Sequence, residues 1–329
     1  MANESLVAKW KIMDRPKSSF FSRDKLSGDF IFKAFVGFFA MGILVLAFLL
    51  FRELFIGSAL SRDTFGSGFL TGSTWDPVNE IFGALPFIFG TLVSSFLSLL
   101  IAVPFSLGIA IYLSELAPEK LRAPLSFIIE LLAAIPSVII GLWGIFILAP
   151  FIRDYLAPPL STYLGFLPLF QGPMYGLSML TGGVILAIMI IPITSSVSKE
   201  AIMTVPAHQR EGALALGATG WETIRVAVLP YARSGIFGAV ILGFGRAIGE
   251  TMAVTMVIGN SPKISLSLFA PSYTMASVIA NEFVEATSKL YISSIVEIGF
   301  LLLMISVMIN IIARILVWKL LRVEGGGRA

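Results

Sequence analysis

Six long apolar runs, separated by more polar stretches, dominate the pattern of this chain. An α-helix needs ~20 predominantly apolar residues to cross the hydrocarbon core of a bilayer, and each run is that long. The predicted spans cover residues 30–51, 87–113, 124–151, 174–197, 234–258 and 291–318. The pattern therefore predicts an all-α polytopic membrane protein with six transmembrane helices.

One polar stretch, residues 211–230, is too regular to be a plain connecting loop. Gly217 divides it into two helical halves. Thr219 and Glu222 have the spacing of a capping box, in which the hydroxyl and the carboxylate each satisfy a free backbone amide. Pro206 suits the first turn of the first half, and Pro230 is expected to discourage continuation of the second. The pattern predicts a helix–glycine–helix elbow between two membrane spans, a shape suited to pushing against another protein.

The elbow resembles the EAA loop of ABC-importer permeases. The residues at the positions of that motif are Glu211, Gly212, Ala213, Gly217, Leu229 and Pro230, with Gly212 standing where the motif has an alanine. In that family the loop is cytoplasmic and docks into a groove on the ATP-binding subunit. The resemblance implies the MetI-like ABC-importer permease fold, with a coupling loop at residues 199–233. An ordinary amphipathic loop helix is the alternative.

Composition and charge agree with a membrane protein and predict its orientation. The chain is 57% hydrophobic and only 13% charged, which is too apolar for a soluble domain. Of the 23 lysines and arginines, seventeen fall in the N-terminal segment (with Lys33), the second and fourth connecting loops and the C-terminal end, against five on the opposite side. Positive residues stay in the cytoplasm, so both termini and the elbow are predicted to be cytoplasmic.

The predicted organisation has three parts. A basic cytoplasmic segment covers residues 1–29, a six-span permease domain covers residues 30–320, and a cytoplasmic tail covers residues 321–329. The basic residues lie in loops and tails that the membrane orientation explains, so nucleic-acid binding is not predicted.

Arg246 lies near the middle of the fifth predicted span. A charge at that depth costs ~2.5–3.5 kcal/mol on insertion scales and is expected to face protein or water. Glu250, four residues later, falls on the same helical face and within pairing distance. We interpret the two as an anion contact in a translocation path, with a structural ion pair as the alternative. Ser137, after Pro136 in the third predicted span, is a further candidate for the path, with a simple kink as the alternative.

Further segments are similar to the permeases of phosphate (Pst) importers, of the PstC type. These segments are residues 82–92, 133–137 and 245–254. The resemblance implies transport of inorganic phosphate across a bacterial or archaeal plasma membrane. It also implies three kinds of partner: a PstA-type permease that forms a heterodimer with this chain, two ATP-binding subunits, and an external phosphate-binding protein. ATP and Mg²⁺ would be bound by the ATP-binding subunits, so no cofactor is expected in this chain.

Two other functions stay open at this stage. One is an ion-coupled secondary anion carrier or channel that uses Arg246 and Glu250 alone. The other is an ABC permease for a different oxyanion. The elbow favours an importer, because a self-sufficient carrier needs no docking loop for a motor. The sequence has no GxxxxGK[ST] loop, no cysteine and a single histidine, so an ATPase or zinc enzyme is not predicted.

Overall fold

The structure, a computed structural model, describes residues 28–325. Residues 1–27 of the predicted N-terminal segment and 326–329 of the predicted tail lie outside the described residues. The chain divides after Arg52 into an N-terminal unit and a larger unit that begins at Glu53. The elbow and the charged residues of the fifth span all belong to the larger unit.

The described residues form helices and one short hairpin. The α-helices are α1 (Gly28–Gly57), α2 (Ala59–Phe65), α3 (Gly68–Thr71), α4 (Leu85–Ile111), α5 (Glu119–Ala133), α6 (Ser137–Trp143), α7 (Ala149–Phe151), α8 (Ala157–Leu164), α9 (Met179–Met203), α10 (Ala207–Ala215), α11 (Gly220–Thr223), α12 (Leu229–Gly249), α13 (Met252–Val257), α14 (Met275–Glu282) and α15 (Lys289–Gly325). Strands β1 (Trp75–Asp76) and β2 (Ile81–Phe82) pair antiparallel. The remaining helical turns are a 3₁₀ turn at Pro168–Phe170 and π turns at Tyr112–Leu116, Gly144–Leu148, Ile152–Leu156 and Ile224–Val228.

The predicted six spans are confirmed. Within the described residues, six helical segments are long and apolar enough to cross a membrane: Phe30–Gly57, Leu85–Leu116, Ser137–Leu164, Met179–Met203, Gly220–Gly249 and Lys289–Ile315. Four match the predicted positions closely, whereas the third and the fifth differ at both ends.

The third span begins later than predicted, because Pro136 separates two helices. The prediction placed this span at residues 124–151 with a kink at the proline. In the structure α5 ends at Ala133, and Pro136 is the N-cap of α6, which starts at Ser137. The residue before a proline is disfavoured in the α region, so the helix stops there. The span then continues to Leu164, past Arg153, whose Nε lies 2.7 Å from Asp154 Oδ1.

The fifth span also differs, since Pro230 does not end its helix. A π turn over Ile224–Val228 precedes the proline, and the amide of Leu229 donates to the Ile224 carbonyl. A proline ring would clash with the carbonyl four residues earlier in a regular α-helix, and the wider turn avoids this conflict. The helix therefore runs from Gly220 to Gly249. At its far end, Glu250 and Thr251 separate it from α13, so the predicted span of residues 234–258 is interrupted.

Helix α9 occupies the centre of the packing. In its most apolar window 67% of the residues are buried, against 17–28% in the other spans of the larger unit. Glycines allow neighbours close to it: Gly183 of α9 lies against Leu97 of α4, and Gly243 of α12 lies against Thr194 of α9. Because Thr194 is near the middle of α9, this contact places the end of α12 at mid-membrane depth.

Replacing Gly90 with alanine should destabilise the protein. Gly90 lies on the buried face of α4, and an added Cβ would clash with the backbone carbonyl of Tyr273. Overpacking of this kind costs ~1–3 kcal/mol, so the midpoint of thermal unfolding in detergent should fall. Gly108 on the same helix has open space around it. Gly108→Ala should therefore leave the midpoint unchanged or raise it, because alanine favours helix by about 1 kcal/mol. Equal midpoints for the two variants would contradict the packing described.

Candidate coupling surface and anion cavity

The elbow turns at Gly217, as predicted. Gly217 has φ +87°, a left-handed conformation that glycine adopts without steric cost. The amide of Ala218 donates to the Ala213 carbonyl over 3.1 Å, and the amide of Gly217 donates to Leu214 over 2.9 Å. These two bonds form a Schellman motif, so α10 ends in a defined turn.

The second half of the elbow starts at the predicted capping box. The amide of Glu222 donates to Thr219 Oγ1 over 3.3 Å, and the amide of Thr219 donates to Glu222 Oε2 over 2.8 Å. Two backbone donors that helix geometry leaves free are thus satisfied. Helix α11 continues through the π turn into α12, so the elbow is joined to the fifth span without a flexible linker.

Most of the predicted coupling residues lie on the surface. Glu211, Gly212, Gly217 and Pro230 are exposed, whereas Ala213 and Leu229 are partly buried. Three apolar side chains around them, Leu214, Leu216 and Trp221, are 52%, 92% and 60% exposed. We call Glu211, Gly212, Leu214, Leu216 and Trp221 the coupling surface. Contiguous exposed apolar groups with a polar rim are typical of a protein–protein contact.

Arg210 anchors the elbow to the spans, a role the sequence analysis missed. Its Nη2 lies 2.7 Å from Glu115 Oε1 and donates to the Ile202 carbonyl over 3.1 Å, and its Nη1 donates to the Val205 carbonyl. Helix α10 is therefore tied both to the turn after α4 and to the end of α9. The pair was hard to see in the sequence because its members are 95 residues apart.

An apolar cluster beneath the elbow supports the same attachment. Its buried members are Ala110, Ile111, Ile202, Val205, Ile224, Val228 and Ala232. They come from α4, α9, the elbow and the start of α12. The elbow therefore packs on the ends of the spans as part of one core, while the coupling surface stays exposed.

Arg246 lies in the last turn of α12 and lines a cavity of about 610 Å³. The other lining residues are Ile193, Ile241, Leu242, Gly245, Gly249, Glu250 and Asn310. The contact of Gly243 with Thr194, one turn earlier, places the guanidinium near the middle of the membrane. A cation also interacts favourably with the C-terminal end of a helix, which offsets part of its cost at this depth.

The structural ion pair between Arg246 and Glu250, the alternative to an anion contact, is not formed within the described residues. Glu250 lies beyond the end of α12 in extended conformation, so the two are not neighbours on one continuous helix. Its Oε1 accepts a hydrogen bond from the amide of Ala253 over 3.4 Å. Within residues 28–325, Arg246 makes neither an ion pair nor a hydrogen bond. Both side chains still line the same cavity, so the structure brings the predicted pair to one site without joining it.

Ser137 does not line this cavity. It is the half-buried first residue of α6. One turn later, the backbone of Gly141 approaches Ala253 of α13 closely. Ser137 therefore lies on a helix that packs against the segment following Glu250, and its contact with a translocation path stays a prediction.

Asn310 of α15 is a cavity residue that the sequence analysis overlooked. A signal was present, since Asn310 is a carboxamide in the interior of an otherwise apolar run. The Asn310 carboxamide nitrogen donates one hydrogen bond to the Ser306 carbonyl over 2.9 Å and keeps a second N–H. Arg246 and Asn310 therefore provide donors on two helices, and a guanidinium presents a planar set of donors that matches an oxyanion.

Comparison with known proteins identifies relatives along most of the chain. The family model described as "Binding-protein-dependent transport system inner membrane component" matches residues 106–322. The phosphate transport system permease protein PstC of Mesorhizobium japonicum is 48% identical over 89% of this chain and 90% of its own. That of Pasteurella multocida is 46% identical over 90% and 94%. The probable PstC of Methanocaldococcus jannaschii is 38% identical over 83% and 87%.

Solved structures with the same fold are more distant in sequence. A bacterial ABC transporter involved in the import of the acidic polysaccharide alginate matches with TM-score 0.59 and 16% identity, over 88% of this chain and 98% of that one. The MetNI methionine ABC transporter matches with TM-score 0.53 and 16% identity, over 75% and 99%. These two confirm the predicted MetI-like fold. The family model matches more than half of the chain, and the two bacterial PstC relatives match about nine tenths of it. The chain therefore belongs to the binding-protein-dependent transport permeases and, within them, to the PstC permeases of phosphate transport systems.

Proposed function

We propose that this chain is a permease subunit of an ATP-driven importer for inorganic phosphate, in which Arg246 contacts the anion. The observation that carries the proposal is a mid-membrane arginine in a cavity of about 610 Å³, without an ion pair or hydrogen bond to any described residue. The PstC names of the relatives support phosphate as the substrate.

The electrostatic cost of Arg246 supports an anion contact. A charge at the bilayer centre costs several kcal/mol unless water or a counter-charge stabilises it. Glu250 is the acid in the same cavity, and its carboxylate accepts a backbone amide instead of the guanidinium. An oxyanion can bind the planar donors of Arg246 bidentately. Glu250 would then repel or reorient the anion during the cycle.

The partner permease should supply a second positive group. One arginine and one glutamate in a cavity sum to no net charge and attract a dianion weakly. We propose a homologous PstA-type permease that faces this cavity and contributes an equivalent arginine. The heterodimer would then enclose phosphate between two cations.

The remaining parts of the importer follow from the coupling surface. We propose that it docks one of two ATP-binding subunits, which hold ATP and Mg²⁺, and that both termini are cytoplasmic. An external phosphate-binding protein would deliver the substrate on the opposite side. A secondary carrier built on Arg246 and Glu250 alone would leave the coupling surface without a role. Purifying the chain from its native membrane separates the two functions, because an importer should bring an ATPase with it.

Replacing Arg246 should abolish phosphate uptake by the reconstituted complex. Arg246→Gln removes the charge, and Arg246→Lys keeps a charge without the planar donors, so both variants should lose uptake while the complex still assembles. The measurement is uptake of radiolabelled phosphate into proteoliposomes with and without ATP. Arg153→Gln, which removes an exposed arginine paired with Asp154, is the matched control and should transport normally.

Two results would contradict the anion contact. One is wild-type uptake by Arg246→Gln. The other is recovery of phosphate uptake when Glu250→Gln is added to Arg246→Gln. Uptake would then require only that the charges of the two residues balance, and not a contact between Arg246 and the anion. Sulfate added in excess tests substrate choice: it should compete weakly in a phosphate permease and strongly in a permease for another oxyanion.

Replacing Gly217 should uncouple ATP hydrolysis from transport. Gly217→Val forces a β-branched residue into φ +87°, which costs of order 1–3 kcal/mol and distorts the turn beside the coupling surface. ATPase activity and uptake are measured together, and uptake per ATP should fall. Gly220→Val is the control, because Gly220 also has open space around it but an ordinary backbone conformation. Equal coupling in the two variants would rule out the docking role.

A further inference from the structure

A second cavity of about 400 Å³ adjoins the one that holds Arg246. Its lining residues are Gly238, Ile241, Leu242, Asn310, Arg314, Val317 and Trp318. Three of these, Ile241, Leu242 and Asn310, line the Arg246 cavity as well. The two cavities therefore form one continuous groove between α12 and α15, and we call it the inner groove.

The inner groove leads from mid-membrane towards the elbow side. Gly238 lies eight residues before Arg246 on α12, which is about 12 Å along the helix axis. Arg314 lies four residues beyond Asn310 on α15, about 6 Å further along that helix. Because α12 starts at the elbow and α15 runs the opposite way, Arg314 is at the level nearer the elbow. The groove thus carries polar groups at three successive depths: Arg246, Asn310 and Arg314.

Arg314 is exposed in the groove, as Arg246 is. Within the part of the chain that the structure describes, its guanidinium makes neither an ion pair nor a hydrogen bond. The other lining residues of its cavity carry no acidic group. The Arg246 cavity also holds Glu250, whereas the Arg314 cavity has no acidic lining residue, so Arg314 makes this end of the groove positive and attractive to a small anion.

We propose that Asn310 and Arg314 form an inner phosphate-binding station, which receives the anion from Arg246 and releases it towards the cytoplasm. The inference rests on the proposed function and extends it to two further residues. A path through a membrane needs several sites of modest strength, since one strong site would hold the ion. Arg246 and Arg314 line different cavities, and Asn310, which lines both, lies between them along the groove.

A lipid headgroup carries the same phosphate chemistry, so the experiment separates the two sources. Basic grooves on the cytoplasmic side of membrane proteins bind anionic headgroups, and Trp318 is of a type that favours the interface. Free phosphate is the occupant we propose, because the groove continues inward to Arg246 at mid-membrane, deeper than a headgroup lies.

The first measurement is protection of a cysteine by phosphate. The natural chain has no cysteine, so Val317→Cys introduces one thiol into the wall of the inner groove, with Asn310 and Arg314 intact, in a complex with cysteine-free partners. In phosphatidylcholine proteoliposomes, the anionic reagent 2-sulfonatoethyl methanethiosulfonate should modify it from the cytoplasmic side. Phosphate should slow the reaction several-fold. Thr204→Cys, exposed at the end of α9, is the control, and its rate should not depend on phosphate.

The second measurement is uptake by Arg314→Gln. We expect the maximal rate to fall about tenfold, as for loss of a hydrogen bond to a charged group, with an unchanged half-saturating concentration of loaded binding protein. The loss should be equal with and without phosphatidylglycerol in the vesicles, and Arg314→Lys should restore part of the rate. Co-purification of the ATP-binding subunits and normal ATPase activity show that the variant has assembled.

Each contrary outcome overturns a defined part of the argument. A loss of uptake that appears only with phosphatidylglycerol assigns Arg314 to a lipid headgroup. A thiol at position 317 that does not react, or reacts equally with phosphate present, removes the Arg314 cavity from the path. Wild-type uptake by Arg314→Gln with no uptake by Arg246→Gln rejects the inner station and leaves the proposed function intact. Wild-type uptake by Arg246→Gln rejects the proposed function itself.

Discussion

The packing of α9 against its neighbours fixes the position of every candidate functional group. At one end, the amides of Met179 and Leu180 donate to carbonyls of Ala270 and Leu268, over 3.0 and 2.8 Å. At the middle, Thr194 lies against Gly243 and so sets the depth of α12. At the other end, the carbonyl of Ile202 accepts a hydrogen bond from Arg210 of the elbow. One helix thus connects residues 268–270, the cavity of Arg246 and the elbow.

The charge of Arg246 is the costly element of this arrangement. Insertion scales assign ~2.5–3.5 kcal/mol to an arginine at the bilayer centre, and a helix C-terminus returns only ~0.3–1 kcal/mol. Within the described residues, Arg246 has no ion pair that would offset the rest of this insertion cost. The cavity of about 610 Å³ beside it leaves room for water or an anion. In the proposed function, a phosphate anion in this cavity would supply the counter-charge that the described residues do not pair with Arg246.

The sequence predicted the features that depend on neighbouring residues. It did not predict the features that depend on contacts between distant parts of the chain. The capping box of Thr219 and Glu222 and the turn at Gly217 depend on neighbours within a few residues, so spacing alone was sufficient. The break after Gly249 has no proline to announce it, and α13 is held in place by its contact with Gly141 of a different span. The pairing of Arg210 with Glu115 likewise depends on the packed fold. Pro230 failed as a signal because a π turn removed the conflict that normally ends a helix.

The uninterrupted helix from Gly220 to Gly249 gives the elbow a mechanical connection to the cavity. Its 30 residues span about 45 Å at 1.5 Å per residue, with Trp221 of the coupling surface in the first turn and Arg246 in the last. The helix ends immediately after Arg246, and Glu250 lies across the break, beside α13. Hinges are a few residues at the ends of elements that absorb backbone change. In the proposed function, a displacement of the elbow would therefore move Arg246 with α12, while Glu250 stays with the segment packed on α6. The distance between the cation and the acid would then change with the ATP cycle, and with it the affinity of the cavity for phosphate.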